Sequence, residues 1–227
     1  MEKLVNSRNI FIIATLILSA IISTISLAIP AKFDGFVYRT KTSGKTEEND
    51  KIIIEGFFDP VCPYSRDAWP PLKKALHHYG SRVSFIVHPF PLPYHDNAFA
   101  TSRALHIVNK LNSTVTYSML EHFFKNQEKF YNAPTHNMSR ASVIKRISSL
   151  VVKVVGSSLL SSVESGFSDR ATDLITRVSF KYSCTRGVSG TPTFFVNGFL
   201  LPDNDTTIDY NGWRSIIDPL VHPQSHG

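Results

Sequence analysis

Hydrophobic and polar positions follow one another along the chain in blocks that predict an α/β protein. The run IIIEGFF at 52–58 is short, apolar and rich in branched and aromatic side chains, which is typical of a strand buried on both faces. A helical pattern follows up to Tyr79, and the apolar run VSFIV at 83–87 predicts a second strand. This order predicts a parallel unit whose chemical groups lie at the carboxyl ends of the strands.

Prolines mark both the start and the interior of the predicted helix. Pro63 suits a helix start, because the N–H that proline lacks would have no partner there. Pro70 and Pro71 lie further inside. We expect Pro70 to kink the helix or to split it into two.

A block of amphipathic helices is predicted from about 97 to 185. Apolar residues recur there every three or four positions, as an amphipathic helix requires. The four stripes are Phe99, Leu105 and Val108; Met119, Leu120, Phe123 and Phe124; Ile144, Ile147, Val151 and Val154; and Ala171, Leu174, Ile175 and Val178. We expect each stripe to pack into a core rather than to bind a cofactor.

After this block the pattern returns to strands. Residues 193–196 predict one strand, and Asn197-Gly198 is a strong hairpin signal before a second strand at 199–201. The segment 210–221 predicts a closing helix.

The amino-terminal segment predicts export from the cytosol. Residues 10–29 carry no charge and follow a short leader that contains Lys3 and Arg8. This pattern predicts a signal peptide at 1–28. A retained signal anchor is the alternative, since about 20 apolar residues can just span a bilayer. Either one would put the rest of the chain in the secretory pathway, in the ER lumen or outside the cell, with a membrane contact only if the leader is retained.

A polar segment at 29–51 would then precede a single domain at 52–222. Three sequons, at Asn112, Asn137 and Asn204, fit a glycosylated luminal chain.

Composition argues against several classes of protein. Two cysteines are too few for a disulfide-rich scaffold, and with nine scattered histidines they form no zinc-binding pair, so we expect no metal site. Basic residues exceed acidic ones by 24 to 18, but no basic run is longer than Lys73-Lys74. We therefore expect no nucleic-acid partner.

Two short motifs carry a resemblance to a known family. Cys62-Pro-Tyr-Ser65 follows the first strand, and GVSGTPTFFVNG at 187–198 follows the helical block. With this order of elements the chain resembles the DsbA-like branch of the thioredoxin superfamily, which implies a thioredoxin fold with an inserted helical domain. The stretches FDPVCPYSRDAWP and HPFPLPYH further resemble plant members of that superfamily.

The resemblance implies roles for five residues. Cys62 would be the nucleophile. Pro192 would follow a cis peptide bond and face Cys62, and the backbone at Thr191 would hold a bound peptide or thiol. Pro63 and Tyr64 would either tune access to the thiol or serve only as helix-start residues.

Ser65 departs from the pattern of that family. Its oxidoreductases carry a second cysteine at this position, which attacks and resolves the mixed disulfide. The serine leaves monothiol chemistry, in which Cys62 exchanges disulfides with the thiols of client proteins or peptides, with glutathione as a co-substrate and no bound cofactor. We expect the Cys62 sulfur to be open to solvent at a helix start, where free N–H groups stabilise a thiolate and Ser65 donates a hydrogen bond to it.

Two other functions remain open at this point. One is a redox-inactive module that binds extended peptides in the cis-proline groove by strand addition. The other is a glutathione-dependent transferase or isomerase similar to the kappa class, in which the serine takes part.

Four further residues are candidates near the site. His88 and His95 flank a proline-rich loop, where either imidazole would support the thiolate or act as a base, or would be a structural loop residue. We expect Asp59 to be a solvated surface residue. We expect Cys184 to be a free buried cysteine near the end of the last inserted helix, able to act as a resolving thiol only if a loop moves.

Overall fold

The computed structural model describes residues 33–38, 51–202 and 207–221. The predicted leader and the sequon asparagine Asn204 lie outside these ranges. The chain divides into a unit of residues 1–33 and a unit of residues 34–227, and every described strand and helix belongs to the second unit.

A five-stranded mixed sheet forms the centre of this second unit. Its strands are β1 Phe36–Tyr38, β2 Ile52–Phe58, β3 Val83–Pro89, β4 Thr193–Val196 and β5 Phe199–Leu200. They lie side by side in the order β1-β3-β2-β4-β5. β2 and β3 are parallel, and the other three neighbouring pairs are antiparallel.

The parallel pair confirms the two strands predicted around the first helix, with β3 extended to Pro89. β1 is an addition that the sequence pattern did not indicate. Three residues are too few to show a periodicity, and the strand forms by pairing with β3, where Phe36 lies opposite Val87.

Helix α1, Pro63–Tyr79, runs without a break through both internal prolines. Of the two predicted effects of Pro70, a kink or a split of the helix, the split is therefore wrong. Pro70 lies on the exposed side, while Leu72 and Ala75 are buried in the core. Packing of that apolar face offsets the backbone hydrogen bonds that the prolines remove.

The predicted helical block is confirmed between β3 and β4. Its helices are α2 Ala98–Leu111, α3 Thr116–Asn126, α4 Asn132–Thr135, α5 Arg140–Val155, α6 Leu160–Ser168 and α7 Arg170–Thr185. A short 3₁₀ segment, Gln127–Phe130, joins α3 to α4, and α8, Tyr210–Val221, is the predicted closing helix.

Two hydrophobic cores lie on opposite faces of the sheet. The larger core includes Phe58, Phe85 and Trp213 together with apolar residues of α1, α2, α3, α5, α6 and α8. Since side chains alternate along a strand, Phe57 points to the other face. There it joins a smaller cluster with Cys62, Phe90, Leu92, Val188 and Phe195.

The last inserted helix, α7, buries a different face from the one predicted. Leu174 and Ile175 are 52% and 46% exposed, so the expectation that their stripe packs into the core is wrong. The buried residues of α7 are Thr172, Thr176, Ser179 and Ser183. Most of these small hydroxyl side chains hydrogen-bond locally, for example from Thr176 to the Thr172 carbonyl at 2.7 Å, whereas Ser179 donates to Asp34 at 2.6 Å. Such bonds allow a polar face to be buried against other helices.

The hairpin between β4 and β5 follows the sequence signal. Asn197 and Gly198 have φ angles of 49° and 84°, which a tight two-residue turn requires and which glycine adopts without a steric cost. Within the described ranges, no helix combines the length and the apolar character needed to cross a bilayer.

Candidate active site

Cys62 lies at the junction between the end of β2 and the start of α1. Its backbone N–H donates to the carbonyl of Asp59 at 3.0 Å, and its own carbonyl accepts from Arg66 N–H at 3.2 Å. Pro63 is the first residue of the helix. The thiol therefore belongs to a helix amino end, where backbone N–H groups without helical partners favour negative charge.

The second motif meets the first at the sulfur of Cys62. Cys62 Sγ donates a hydrogen bond of 3.4 Å to the carbonyl oxygen of Thr191. The peptide bond between Thr191 and Pro192 is cis. The Thr191 hydroxyl is buried and has no hydrogen-bond partner among the described residues, so this corner of the site retains an unused polar group.

Cys62 is only 2% exposed, so the expectation of a sulfur open to solvent is wrong. The cluster that contains Phe57, Phe90 and Val188 surrounds it. Val188 comes from the segment between α7 and β4. Tyr64, which follows on the first turn of α1, is 69% exposed and lies outside that cluster.

Ser65 is fully buried and has a different partner from the one expected. Its Oγ accepts a hydrogen bond from the backbone N–H of Asp59 at 3.2 Å. No hydrogen bond joins it to Cys62 Sγ in the described structure, because the thiol is directed to Thr191. Ser65 thus fixes the loop that precedes Cys62.

Asp59 is also fully buried, so its assignment to the solvated surface is wrong. Its Oδ1 accepts from Val61 N–H at 2.9 Å, and its Oδ2 accepts from Leu92 N–H at 3.1 Å. His95 Nδ1 lies 2.7 Å from the same Oδ2. These three donors satisfy a carboxylate that the sequence places among turn residues, and they tie the loop before Cys62 to the loop after β3.

His88 is a strand residue rather than a loop residue, because β3 extends beyond it to Pro89. The ring is fully buried, with Nδ1 2.8 Å from Asp34 Oδ2 and Nε2 3.2 Å from Glu55 Oε1. Burial opposes protonation, but the bonds to the two carboxylates outweigh it and raise the pKa of His88. Phe57, a member of the cluster around Cys62, stacks on the ring with the two centroids 4.7 Å apart.

Glu55 completes this buried ionic network. Its Oε2 lies 3.0 Å from Arg186 Nη2. Burial alone would raise the pKa of Glu55, whereas the hydrogen bonds from His88 and Arg186 lower it to about 2. The sequence carried one signal for this network, a single acidic residue inside the apolar run of β2, and the partners of that residue could not be read from it.

Gln127 is a site residue that sequence reasoning missed. The side chain is fully buried, and its Nε2 donates to the carbonyl oxygens of Pro60 and Cys62 at 3.3 and 3.2 Å. Its Oε1 accepts from the Tyr131 hydroxyl at 2.9 Å. The helical insertion therefore holds the Cys62 loop directly. A glutamine at a helix end gives no sequence signal for such a contact.

A cavity of about 260 Å³ lies beside the Cys62 loop. Val61 and Pro63, the residues on either side of Cys62, form part of its wall. The remaining lining residues are His95, Phe130, Tyr131 and Asn132. Of the two histidines predicted to lie near the thiol, His95 lines this cavity, whereas His88 belongs to the buried ionic network.

Cys184 lies near the end of α7 as predicted, but it is exposed rather than buried. It follows Ser183, which belongs to the buried polar face of α7. Both cysteines are free thiols. Asn112 and Asn137 are exposed. Among the described residues, no group of three or more His, Cys, Asp or Glu side chains is placed to hold a metal ion.

A family model and several solved structures are similar to this chain. A family model described as Thioredoxin matches residues 40–219. A search of curated proteins finds no significant sequence relative.

Three solved structures share the fold. A Pseudomonas syringae protein provisionally assigned as a protein-disulfide isomerase is 18% identical, with a TM-score of 0.65 over 81% of this chain and 98% of its own. The thiol-disulfide exchange protein alpha-DsbA2 from Wolbachia pipientis is 17% identical, with a TM-score of 0.60 over 82% of this chain and 87% of its own. A periplasmic thioredoxin-like protein from Salmonella enterica serovar Typhimurium is 16% identical, with a TM-score of 0.57 over 82% and 90%. These likenesses establish a DsbA-like thioredoxin fold with a helical insertion.

Proposed function

Because the chain belongs to the thioredoxin family, whose model spans residues 40–219, we propose that it performs thiol–disulfide exchange through the single thiol of Cys62. One observation carries the proposal: Cys62 Sγ, at the start of α1, lies 3.4 Å from the Thr191 carbonyl beside the cis bond to Pro192. A nucleophilic sulfur at a helix amino end and a carbonyl that can pair with an extended partner are the two parts that such exchange needs.

The first step consumes a disulfide of the client. The Cys62 thiolate attacks one client sulfur, a new S–S bond forms, and the other client sulfur leaves as a thiolate. Thr191 and Pro192 hold the client backbone, and Pro63 and Tyr64 line its approach. Ser65 has no sulfur to attack the mixed disulfide, so a second, external thiol must release the client.

Exchange also requires the buried sulfur to become accessible. Val188, in the segment between α7 and β4, packs against Cys62. Gly187 and Gly190 flank this part of the segment, and no heavy atom lies within 4 Å of a Cβ placed on either. Movement of Val188 away from the thiol is therefore the opening that the proposal needs.

A redox-inactive module that binds peptides is the second candidate. The 2% exposure of Cys62 favours it, since a thiol enclosed by apolar side chains is protected from reaction. In that case the unused Thr191 hydroxyl and the adjoining backbone would bind the peptide by strand addition.

A peptide disulfide distinguishes the two candidates. Cys184 is exposed and would react by itself, so the experiment uses Cys184→Ser as the parent protein. Incubation with a short disulfide-linked peptide, an acid quench and mass spectrometry should reveal one peptide adduct on Cys62. Cys184→Ser/Cys62→Ala is the matched control and should form none.

Other results of this experiment would support one of the two alternative functions. Peptide binding of the same affinity in both proteins, with no adduct in either, would replace exchange by the binding module. Thermal stabilisation by glutathione that persists without Cys62 would instead favour the glutathione-dependent transferase or isomerase.

Export and glycosylation are part of the same proposal. The leader pattern and the periplasmic relative support a secretory location. Asn112 and Asn137 are exposed, and Asn112 Oδ1 accepts from the Thr114 hydroxyl of its own sequon at 2.7 Å. Expression in a eukaryotic secretory host should give a mass that decreases on glycosidase treatment, and Asn112→Gln should remove one glycan. An unmodified secreted chain would contradict the glycosylation.

A further inference from the structure

The cavity beside Cys62 has the size and position of a site for a small reactant. Its volume of about 260 Å³ lies below the roughly 300–1,000 Å³ of sites that enclose drug-sized ligands. Its walls include both neighbours of Cys62 in the chain, Val61 and Pro63, together with the apolar ring of Phe130. A compact molecule fits this space better than a loop of a folded client.

One titratable side chain of the cavity is held in a defined protonation pattern. His95 Nδ1 lies 2.7 Å from Asp59 Oδ2. Asp59 also accepts from two backbone N–H groups, so its oxygens act as acceptors and Nδ1 is the nitrogen that carries the proton. In the neutral ring Nε2 then keeps its lone pair, and no described residue hydrogen-bonds to it.

Three titratable groups lie around His95. Asp59 and Tyr94 contact its ring, and Tyr131 lines the same cavity. The pKa of Tyr94, whose ring contacts His95, is raised by burial and then by the negative charges of Cys62 and Asp59. Tyr131 lines the cavity and bonds to Gln127, which in turn donates to the Cys62 carbonyl. Hydrogen bonds therefore connect the cavity wall to the backbone of Cys62 through Gln127.

We propose that this cavity binds the small alkyl thiol that releases a client from Cys62, and that His95 takes the proton of that thiol. The role rests on the exchange activity proposed for Cys62 and supplies the second step that Ser65 cannot perform. Asp59 is a positioning residue, because it acts only by fixing the tautomer and orientation of His95.

The release step balances without another reactant. The S–H bond of the small thiol breaks and its proton goes to His95 Nε2. The sulfur of the small thiol then forms a disulfide bond with the client sulfur. The bond between the client sulfur and Cys62 Sγ breaks, and Cys62 leaves as a thiolate. One disulfide is lost and one is formed. The proton on His95 neutralises the thiolate directly or passes to solvent.

Release can be measured apart from adduct formation. Cys184→Ser protein is unfolded in urea, joined at Cys62 to a short cysteine peptide through an activated disulfide of that peptide, and refolded. Loading then does not depend on the accessibility of Cys62 in the folded protein. Glutathione or cysteamine is added, and quenched mass spectrometry follows the loss of the adduct and the new peptide disulfide. The free peptide disulfide with the same thiols gives the uncatalysed rate, and a polyethylene-glycol thiol tests the size limit of the cavity.

We expect release from the parent protein to exceed the uncatalysed rate by at least about 100-fold, as general base catalysis commonly provides. His95→Gln should lose most of this factor, and the pH–rate profile should lose the ionisation that His95 contributes. His95→Ala should be slow but should recover when imidazole is added, which a purely structural role would not allow. The polymer thiol should show little acceleration with any of these proteins.

Equal release rates for the parent protein and His95→Gln would overturn the proposal, as would a failure of imidazole to rescue His95→Ala. Asp59→Asn, checked for folding by circular dichroism, should alter the pH–rate profile in the same direction as His95→Gln, and an unchanged profile would remove Asp59 from the mechanism. If wild-type Cys62 never reacts with a plain peptide disulfide, the exchange function fails, whereas the release rates still report on His95.

Discussion

The side-chain amide of Gln127 donates a hydrogen bond of 3.2 Å to the carbonyl oxygen of Cys62. The donor belongs to the helical insertion and the acceptor to the sheet end that carries the thiol. The same amide reaches the Pro60 carbonyl at 3.3 Å, so one buried side chain fixes both ends of the turn before α1. The insertion is thus a structural support of the candidate site.

Replacement of Gln127 by leucine should weaken both the fold and the site. The Pro60 carbonyl would lose its buried donor, and a buried group left unsatisfied costs about 1–3 kcal/mol. The Cys62 carbonyl would keep the hydrogen bond from Arg66 N–H. We expect a lower midpoint in urea and a slower reaction of Cys62 with a peptide disulfide. Glu128→Gln is the matched control, because the Glu128 side chain is 78% exposed. Wild-type stability in Gln127→Leu would mean that the two bonds contribute little.

Ser65→Cys should convert the site to dithiol chemistry. The substitution places a second thiol on the first turn of α1, at the position where related oxidoreductases carry their resolving cysteine. The exposed thiol of Cys184 is again removed by Cys184→Ser. In that parent protein, we expect oxidised glutathione to produce an intramolecular disulfide in the Ser65→Cys variant that protects both of its thiols from alkylation, whereas the parent itself should hold a glutathione adduct on Cys62.

Ser65→Ala is the control for the lost hydrogen bond to Asp59 N–H, which should cost about 1 kcal/mol of unfolding free energy. It should not form the disulfide. If both cysteines of Ser65→Cys remain open to alkylation after oxidation, the inference that only the missing sulfur separates this site from dithiol chemistry is wrong.

The ionic network of Glu55 and His88 should make stability depend on pH in two opposite ways. A carboxyl with a lowered pKa contributes stability above its unfolded value, so the contribution of Glu55 should be lost as the pH falls from 4.5 towards about 2. The raised pKa of His88 contributes stability below its usual 6.5, and this part should be lost as the pH rises through the raised value.

Urea unfolding of wild type, Glu55→Gln and His88→Gln across this range measures the two contributions. Burial lowers the pKa of His106 to about 4, so that residue also titrates here, and the difference between wild type and each variant cancels its effect. The difference in unfolding free energy between wild type and Glu55→Gln should decrease below pH 4.5. The corresponding difference for His88→Gln should decrease above pH 6.5. Differences in unfolding free energy that stay constant with pH would show that Glu55 and His88 are not ionised as described.

The reversed face of α7 gives a further test. Leu174→Lys and Ile175→Lys should change the unfolding free energy by no more than about 0.5 kcal/mol, because both side chains are exposed. Ser179→Leu should destabilise the protein by several times that amount, since it inserts a large side chain where the Ser179 hydroxyl bonds to Asp34 at 2.6 Å. A larger loss of stability in the two lysine variants than in Ser179→Leu, measured by thermal or urea unfolding, would show that α7 buries the face predicted from the hydrophobic stripe.

The sequence by itself determined the order of elements and the chemistry available to them. Periodicity located the parallel strand pair, the helical block and the closing helix, because backbone conformation follows local patterns of apolar residues. Ser65, at the position of the second cysteine of a Cys-X-X-Cys motif, excluded a disulfide within that motif without any coordinates. The Asn197-Gly198 turn was equally local, since φ angles of both residues depend on the turn alone.

Only the tertiary structure decided which of these residues meet and which are buried. Thr191 lies 129 positions from Cys62, and no local rule brings its carbonyl to the sulfur. Asp59 and His95 form a pair only because the loops after β2 and β3 end side by side. α7 buries its hydroxyl face because those small side chains satisfy their hydrogen bonds within the helix and with Asp34. Burial is a property of the whole packing arrangement, so it is fixed by partners distant in the chain.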